Sequence, residues 1–274
     1  MVNQDSILIE VNQICNLNCE YCFYHDHGRY KEQMTLSMFN DVLKNEPKNI
    51  FITGGEPFLN PNIIEMIKLA KSKNIKCSIF TNGIILLKLL DSVDPQDIFE
   101  YLDKIIISFD TFDNGYSLRT INSSSILKAI DKVLEYKSSL LEVKICLNNY
   151  NIELFRKTVE TLIERGVNSL SINLVHDIDS SSKKFDIKNT SEITEVYKVI
   201  QYYSAYFNQN YVKAHQQYLN KDISNLIKTC KAWDGFNFVN CLGKTYGCPA
   251  SMQETRIDKT KCVSEKCINL WEMY

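Results

Sequence analysis

The sequence has no long hydrophobic run: its longest uncharged apolar stretches, such as Ile84 to Leu87, fall far below the ~20 residues that cross a bilayer as a helix. Its start, MVNQDSILIE, lacks the basic residues and the apolar stretch of an export signal. A cytoplasmic protein, with no membrane partner, is expected. An excess of basic charge is also missing. With 31 Lys and Arg against 33 Asp and Glu, the net charge is -2 and the pI about 6.1, which gives no footprint for nucleic acid. Internal repeats, low-complexity linkers and blocks of like charge are absent too, so neither a repeat array nor a disordered chain is in prospect.

What the chain does have is apolar material and thiols. Hydrophobic residues make up 45 % and aromatics 11 % of 274 residues. That is enough for one compact body, or one domain with an appendage, burying roughly three quarters of its unfolded surface. Ten cysteines in a reducing compartment call for metal or redox chemistry rather than disulfides. Cys15, Cys19 and Cys22 cluster near the start, and Cys230, Cys241, Cys248, Cys262 and Cys267 fill the end. Cys77 and Cys146 lie alone in apolar runs and read as small core residues.

Short β-rich runs alternate with amphipathic stretches, the pattern of parallel strands joined by crossover helices. Runs of consecutive Ile, Val, Leu or Phe predict buried strands at Ile7–Val11, Asn49–Thr53, Lys76–Thr81, Lys104–Phe109, Glu142–Leu147 and Ser169–Leu174. Thr35 is expected to cap a helix lined by Leu36, Phe39, Val42 and Leu43, and Asn60 with Pro61 to open one lined by Ile63, Met66, Ile67 and Ala70. Further helices are expected over Ser124–Tyr136, over Ile152–Glu164 with Gly166 as a stop, and over Ser191–Tyr206. Six β/α units fall short of the eight of a closed barrel, so the predicted fold class is α/β, an open, partial (β/α)6 TIM-like barrel with its active face at the strand C-termini. The polar stretch Asp177–Thr190 reads as a surface loop, and from Asn220 onward cysteines replace the alternation. Two domains follow: a barrel over 1–215 and a small cysteine-rich module over 216–274.

Directly after the first strand stands Cys15-Asn-Leu-Asn-Cys19-Glu-Tyr-Cys22. Three thiols are an incomplete set for structural zinc, which wants four ligands, whereas a 4Fe-4S cube held by three keeps one iron open. On spacing alone, a zinc knuckle completed by His25 or His27 stays open. After the second strand comes Phe51-Ile-Thr-Gly54-Gly55-Glu56-Pro57. With CxxxCxxC, the aromatic Tyr21 before the last cysteine and GGEP, the chain resembles the radical S-adenosylmethionine (SAM) superfamily.

The resemblance implies that Cys15, Cys19 and Cys22 hold a 4Fe-4S cluster whose unique iron binds the amino and carboxylate groups of SAM. Adjacent glycines let a backbone approach a ligand closely, so the carbonyls and the carboxylate near Gly54, Gly55 and Glu56 are expected to receive the SAM ammonium. Thr81-Asn82-Gly83 closes the third strand and Ser108-Phe-Asp110 the fourth, where barrel chemistry belongs. Asn82 is a candidate for the cofactor and Asp110 for its ribose or the substrate. In relatives such as the anaerobic sulfatase-maturating enzymes a serine and an arginine grip the SAM carboxylate, and resemblance implies the same of Ser108 and Arg119; a solvated surface role for Arg119 is the alternative. Leu174 and Val175 are placed to pack on adenine or simply in the core.

In the tail, Cys230, Gly243 and Cys248 form Cx12Gx4C, which resembles the opening motif of SPASM and twitch modules. Five cysteines fit a single auxiliary 4Fe-4S cluster, with Cys230, Cys248, Cys262 and Cys267 as ligands and Cys241 as the spare or in exchange with Cys230. The final pair departs from the pattern, CxxxxC where many relatives have CxxC. Four thiolates also satisfy structural zinc.

For function, the resemblance implies that a reduced cluster, fed by a donor such as flavodoxin or ferredoxin, splits SAM into methionine and a 5'-deoxyadenosyl radical that takes a hydrogen atom from a substrate. The substrate expected first is a ribosomally made peptide undergoing modification. A small amino sugar or cyclitol oxidised by the same chemistry is the second reading, and a non-enzymatic zinc or Fe-S protein the third. The first strand begins so close to Met1 that a leader-peptide-binding function is expected on a separate chain. His176 and Asp177, with Asp179, Asn148 and Asn149, follow the last barrel strands and are the candidates to touch substrate. His25, His27 and His215 read as structural or exposed, and Tyr202, Tyr203, Tyr206, Phe207 and Tyr211 as packing.

Overall fold

The computed structural model describes residues 5–22, 24, 31–175, 185, 187, 190–209, 212–213 and 235–248. One sheet runs through them, made of β1 (Ser6–Glu10), β2 (Asn49–Thr53), β3 (Lys76–Thr81), β4 (Lys104–Phe109), β5 (Leu141–Leu147), β6 (Leu170–Leu174), β7 (Phe236–Val239) and β8 (Thr245–Tyr246). Its order is β6-β5-β4-β3-β2-β1-β7-β8. Strands β1 to β6 are neighbours in chain order and parallel throughout, the winding of a TIM barrel that stops short of closure. The predicted α/β partial barrel is therefore the observed fold, and all six predicted strands agree to within one residue at both ends.

Helices α1 (Leu36–Leu43), α2 (Ile63–Ser72), α3 (Ile84–Leu90), α4 (Gln96–Phe99), α5 (Ser123–Lys137), α6 (Phe155–Glu164) and α7 (Thr190–Tyr202) connect the strands. Thr35 caps α1 through its hydroxyl, which accepts from the Met38 N–H at 3.2 Å. Gly166 ends α6 at φ +100°, a conformation without penalty only for glycine. Each helix lays an apolar stripe on the sheet: Phe39, Val42 and Leu43 from α1, Ile63, Met66, Ile67 and Ala70 from α2, Ile126, Ala129, Ile130 and Val133 from α5. A fully buried side chain of this size contributes about 1.5–3 kcal/mol.

Three expectations need correction. Asn60 does not cap a helix. Helix α2 starts at Ile63 after Asn62, while the Asn60 amide donates to the Val11 and Met34 carbonyls at 3.0 Å and its oxygen accepts from the Asn62 N–H at 2.9 Å. Asn60 thus ties the end of β1 to the chain entering α1. Nor does the sheet stop before residue 220: β7, inside the span 216–274, lies parallel to β1 with Ser6 opposite Phe236. Predicted as one helix, Ser191–Tyr206 is α7 followed by a 3-10 turn at Ser204–Tyr206. Tyr203 donates its hydroxyl to Glu160 at 2.7 Å, Phe207 is buried and Tyr202 is exposed.

Along a strand, alternate residues face opposite sides. On β5, Leu141, Val143, Ile145 and Leu147 enter the main core under the helices, and Glu142, Lys144 and Cys146 take the inner face. The inner face of the other wall is aromatic: Leu8, Phe236 and Phe238 pack with Phe51, Phe80 and Tyr246.

Candidate active site

The loops at the C-terminal ends of β1 and β2 are pressed together. Gly55 N donates to the Asn12 carbonyl at 3.0 Å, Glu56 N to the Ile14 carbonyl at 2.8 Å, and the Asn12 amide to the Glu56 carbonyl at 3.0 Å. A Cβ on Gly54 would stand 2.6 Å from the Asn12 carbonyl oxygen, and one on Gly55 2.3 Å from that of Ile14. Both positions therefore require glycine, and the close approach they allow is to the chain leading into Cys15.

Glu56 is fully buried beneath this contact. Its carboxylate accepts from Phe58 N at 3.2 Å, the Thr81 hydroxyl at 2.8 Å and Asn82 N at 2.9 Å, joining the ends of β2 and β3. The Asn82 amide in turn donates to the Asn16 side chain at 3.0 Å and to Cys15 Sγ at 3.8 Å, and Leu17 N also points at Cys15 Sγ, at 3.4 Å. Burial outweighs those donors and raises the Glu56 carboxyl from its ordinary 4.5 to about 7. A carboxyl raised in the folded state binds its proton more tightly there than in the unfolded chain, so its contribution is full below ~4.5 and lost as the pH climbs through 7. The stability of the wild type should fall relative to Glu56→Gln by up to about 3 kcal/mol across that window. Urea titrations of both proteins at pH 4.5, 6 and 7.5 check the slope.

A second buried group lies at the ends of β4 and β5. Arg119 Nε meets Asp110 Oδ1 at 2.6 Å, with the two side chains only 5 % and 1 % exposed. The same oxygen accepts the Tyr21 hydroxyl at 2.7 Å, and the guanidinium reaches Cys146 Sγ at 3.3 Å and lies 5.8 Å from the Tyr21 ring centre. The other Asp110 oxygen accepts from the Ser117 hydroxyl and Leu118 N, each at 3.3 Å. Thr120 and Leu118 then hold the cysteine loop, accepting from Asn18 N at 2.9 Å and Glu20 N at 3.0 Å. Burial disfavours charge on Arg119, but the Asp110 carboxylate beside it overrides that and holds it charged. Burial pushes the Cys19 thiol up to about 12, against the pull of Arg119.

Glu10 forms a third group, fully buried at the end of β1. It accepts from the Tyr24 hydroxyl, from the Gln13 amide at 3.1 Å and from Cys241 N at 3.2 Å. It thereby links the cysteine loop to the turn after β7.

These surroundings fit a cluster and a cofactor. Cys15, Cys19 and Cys22 share one half-buried loop, and Cys15 and Cys22 both act on the charge of Cys19. A bound cation reverses the penalty that burial places on thiolates, and N–H groups aimed at Cys15 Sγ favour the same state. Asn12 Oδ1, buried beside Gly54 and without a hydrogen-bond partner, is an acceptor of the kind an ammonium group requires. Among the described residues, no three His, Cys, Asp or Glu groups converge as a finished metal site.

Of the sequence candidates, the structure brings Tyr21, Asp110 and Arg119 into contact, and Gly54, Gly55, Glu56 and Asn82 into the neighbouring wall. Ser108 sits on the inner face of β4, half-buried. Leu174 packs into the main core, and Val175 is buried with its N–H on the Leu147 carbonyl at 2.7 Å. Asn148 and Asn149 shape the loop after β5: Asn148 accepts from Tyr150 N at 2.8 Å, and Asn149 N donates to the Phe185 carbonyl at 3.2 Å. Cys77 is buried in the main core, as expected, whereas Cys146 is buried on the inner face against Arg119 and not in the apolar core expected for it. Cys241 and Cys248 are buried as well. His176, Asp177, Asp179, Cys230, Cys262, Cys267, His25, His27, His215 and Tyr211 lie outside the described residues. Sequence reasoning missed Glu10, Lys144 and the contact of Cys146 with Arg119. The available signal was polar residues at every second position of an otherwise apolar strand, Glu142-Val-Lys144-Ile-Cys146, which is how a barrel interior reads.

An open parallel barrel with three thiols and a Gly-Gly-Glu turn at its mouth defines the class of proteins that hold an iron–sulfur cluster against a small cofactor. The profile of the radical SAM superfamily matches residues 9–175, and the chain belongs to that superfamily. Its members are enzymes that use a 4Fe-4S cluster and SAM. Among curated proteins, the chain is similar to a probable GTP 3',8-cyclase of Methanococcus maripaludis, 33 % identical over 50 % of this chain and 48 % of the relative. It is also similar to the GTP 3',8-cyclase of Chlorobaculum tepidum, 30 % identical over 60 % and 47 %. The chain thus matches about half the length of these relatives. Among solved structures, Streptococcus suis SuiB bound to its precursor peptide SuiA aligns over 99 % of this chain and 65 % of that one, with TM-score 0.69 and 15 % identity. Native anSMEcpe with bound AdoMet and a Kp18Cys peptide aligns over 96 % and 82 %, with TM-score 0.64 and 17 % identity. No helix among the described residues is long and apolar enough to cross a membrane.

Proposed function

We propose that this chain is a radical SAM enzyme that modifies a peptide. The observation that carries the radical chemistry is the contact between the Gly54-Gly55-Glu56 turn and Asn12–Ile14, the chain that leads straight into the Cys15–Cys22 loop at the barrel mouth. When bound, the cluster and SAM supply a 5'-deoxyadenosyl radical. The chain's own residues do the rest: Cys15, Cys19 and Cys22 hold the iron, Asn82 and Glu56 brace the loop from β3, and Asp110 with Arg119 braces it from β4. Ser108 and Arg119 are assigned to the SAM carboxylate, Leu174 and Val175 to adenine, and His176 and Asp177 to the substrate.

The peptide reading is supported by alignment of nearly the whole chain with SuiB and anSMEcpe, both known with peptides. In this reading the span 216–274, which lends β7 and β8 to the barrel sheet, also carries one auxiliary 4Fe-4S cluster on Cys230, Cys248, Cys262 and Cys267, and the partners are a flavodoxin- or ferredoxin-like donor and a leader-peptide-binding protein. A small-molecule substrate is the second reading, favoured by the sequence matches to GTP 3',8-cyclases.

Anaerobic reconstitution tests the proposal. About eight iron atoms per chain, as two cubes, and dithionite-dependent formation of 5'-deoxyadenosine are expected. A preparation that takes up only zinc and leaves SAM intact would refute it.

A further inference from the structure

The side-chain amide of Asn82 has one orientation. Its oxygen accepts from the backbone N–H of Ile84, at the start of α3, at 3.0 Å. A backbone N–H can only donate, so the carbonyl side of the amide must face Ile84 and the nitrogen must face the thiol loop. There the amide nitrogen donates to Asn16 Oδ1 at 3.0 Å and to Cys15 Sγ at 3.8 Å. Both amide protons and the oxygen are thus engaged.

The backbone that carries this amide is equally determined. Asn82 N donates to Glu56 Oε2 at 2.9 Å, and the Thr81 hydroxyl donates to Glu56 Oε1 at 2.8 Å while accepting from Gly83 N at 2.9 Å. Glu56 is fully buried and Asn82 nearly so. Gly83 turns the chain at φ +83°, and a Cβ there would stand 2.9 Å from Ala129 Cβ, so the turn requires glycine. The bond to Asn16 alone would brace the loop. The second proton lies on a sulfur that is to carry iron.

Charge decides what that proton does. One-electron reduction adds negative charge to an iron–sulfur cube and to the thiolates that hold it. An N–H on such a sulfur stabilises the reduced state and raises the potential. Cys15 is half-buried, so the amide acts through a lower dielectric than water. Leu17 N donates to the same sulfur at 3.4 Å, a backbone bond that substitution of Asn82 leaves in place.

We propose that Asn82 sets the reduction potential of the cube through its amide on Cys15, with Glu56 as the residue that positions it. The inference rests on the assignment of Cys15, Cys19 and Cys22 to the cluster, and it gives Asn82 an electrical role beyond holding the loop: the amide brings the cube within reach of its electron donor.

Redox titration of the reconstituted protein without SAM, followed by EPR, tests the proposal. Asn82→Ser keeps an oxygen for Ile84 N but is too short to reach the sulfur, and Asn82→Leu fills the space without a donor. Each is expected to make reduction of the cube about tenfold less favourable, a fall of about 59 mV for one electron. The direction separates this role from a structural one. Were Asn82 only a brace or a plug, its truncation to serine would admit water, which stabilises added negative charge and raises the potential. An unchanged or raised potential in either variant, or weakened SAM binding with the potential unmoved, overturns the proposal. Should neither variant assemble a cube, pulsed EPR of the reduced wild type, labelled with heavy nitrogen on its asparagine side chains, decides: a coupled amide nitrogen is expected, and its absence overturns the assignment. A wild type that takes up no iron would remove the cluster reading itself, a different result from an intact cube whose potential ignores Asn82.

Discussion

Cys19→Ala should abolish formation of 5'-deoxyadenosine and lower the iron content of the reconstituted protein by about four atoms per chain. Cys19 is the middle thiol of the loop and the one set beside the Asp110–Arg119 pair. Removing it leaves two thiols, too few to hold the cube. The fold should survive, because the loop keeps its bonds through Asn18 N, Glu20 N and the Gly54-Gly55 contact. Iron assay, EPR of the dithionite-reduced protein and chromatography of the nucleoside product check these outcomes together. Retention of both iron and cleavage would sink the assignment.

Asp110→Ala should cost about 3–5 kcal/mol, because it leaves a guanidinium buried with no counter-charge. Asp110 also accepts from Tyr21, Ser117 and Leu118, so the cysteine loop loses its support on the β4 side at the same time. The melting temperature should drop on the order of 10 °C. Adding Arg119→Met to Asp110→Ala should recover part of the loss, since the uncompensated charge then goes too. A double-mutant cycle by urea titration measures that recovery. If the two losses simply add, the pair is not coupled as its 2.6 Å contact requires.

Much of the barrel is legible in the sequence because strands buried on both faces carry unbroken Ile, Val, Leu and Phe, as in Ile105-Ile106-Ile107. Helix α3 is harder. Its run Ile-Ile-Leu-Leu-Lys-Leu-Leu has no polar face, so it reads only as an apolar stretch. Strand β7, Phe-Asn-Phe-Val, is too short to announce itself in a cysteine-rich region, and only its pairing with β1 shows what it is. In the site, the thiol triad and the glycine turn are local motifs and can be read directly. The bonds joining Tyr21 to Asp110, 89 residues apart, and Cys241 to Glu10, 231 apart, exist only in the folded chain. Glu56 was expected at a ligand; the structure adds that its oxygens meet Thr81, Asn82 and Phe58, a role that no local pattern announces.

The place of β7 beside β1 bears on how the protein is made. Strand β2 ends at Thr53 and β7 begins at Phe236, so 183 residues (236 − 53) must be synthesised before β1 has its second neighbour, about 10 to 40 s on a ribosome. Until then β1 stands at the border of the growing sheet with one row of backbone groups unpaired and the thiol loop at its tip. The nascent chain is most open to oxidation and to sticking to its neighbours during that interval.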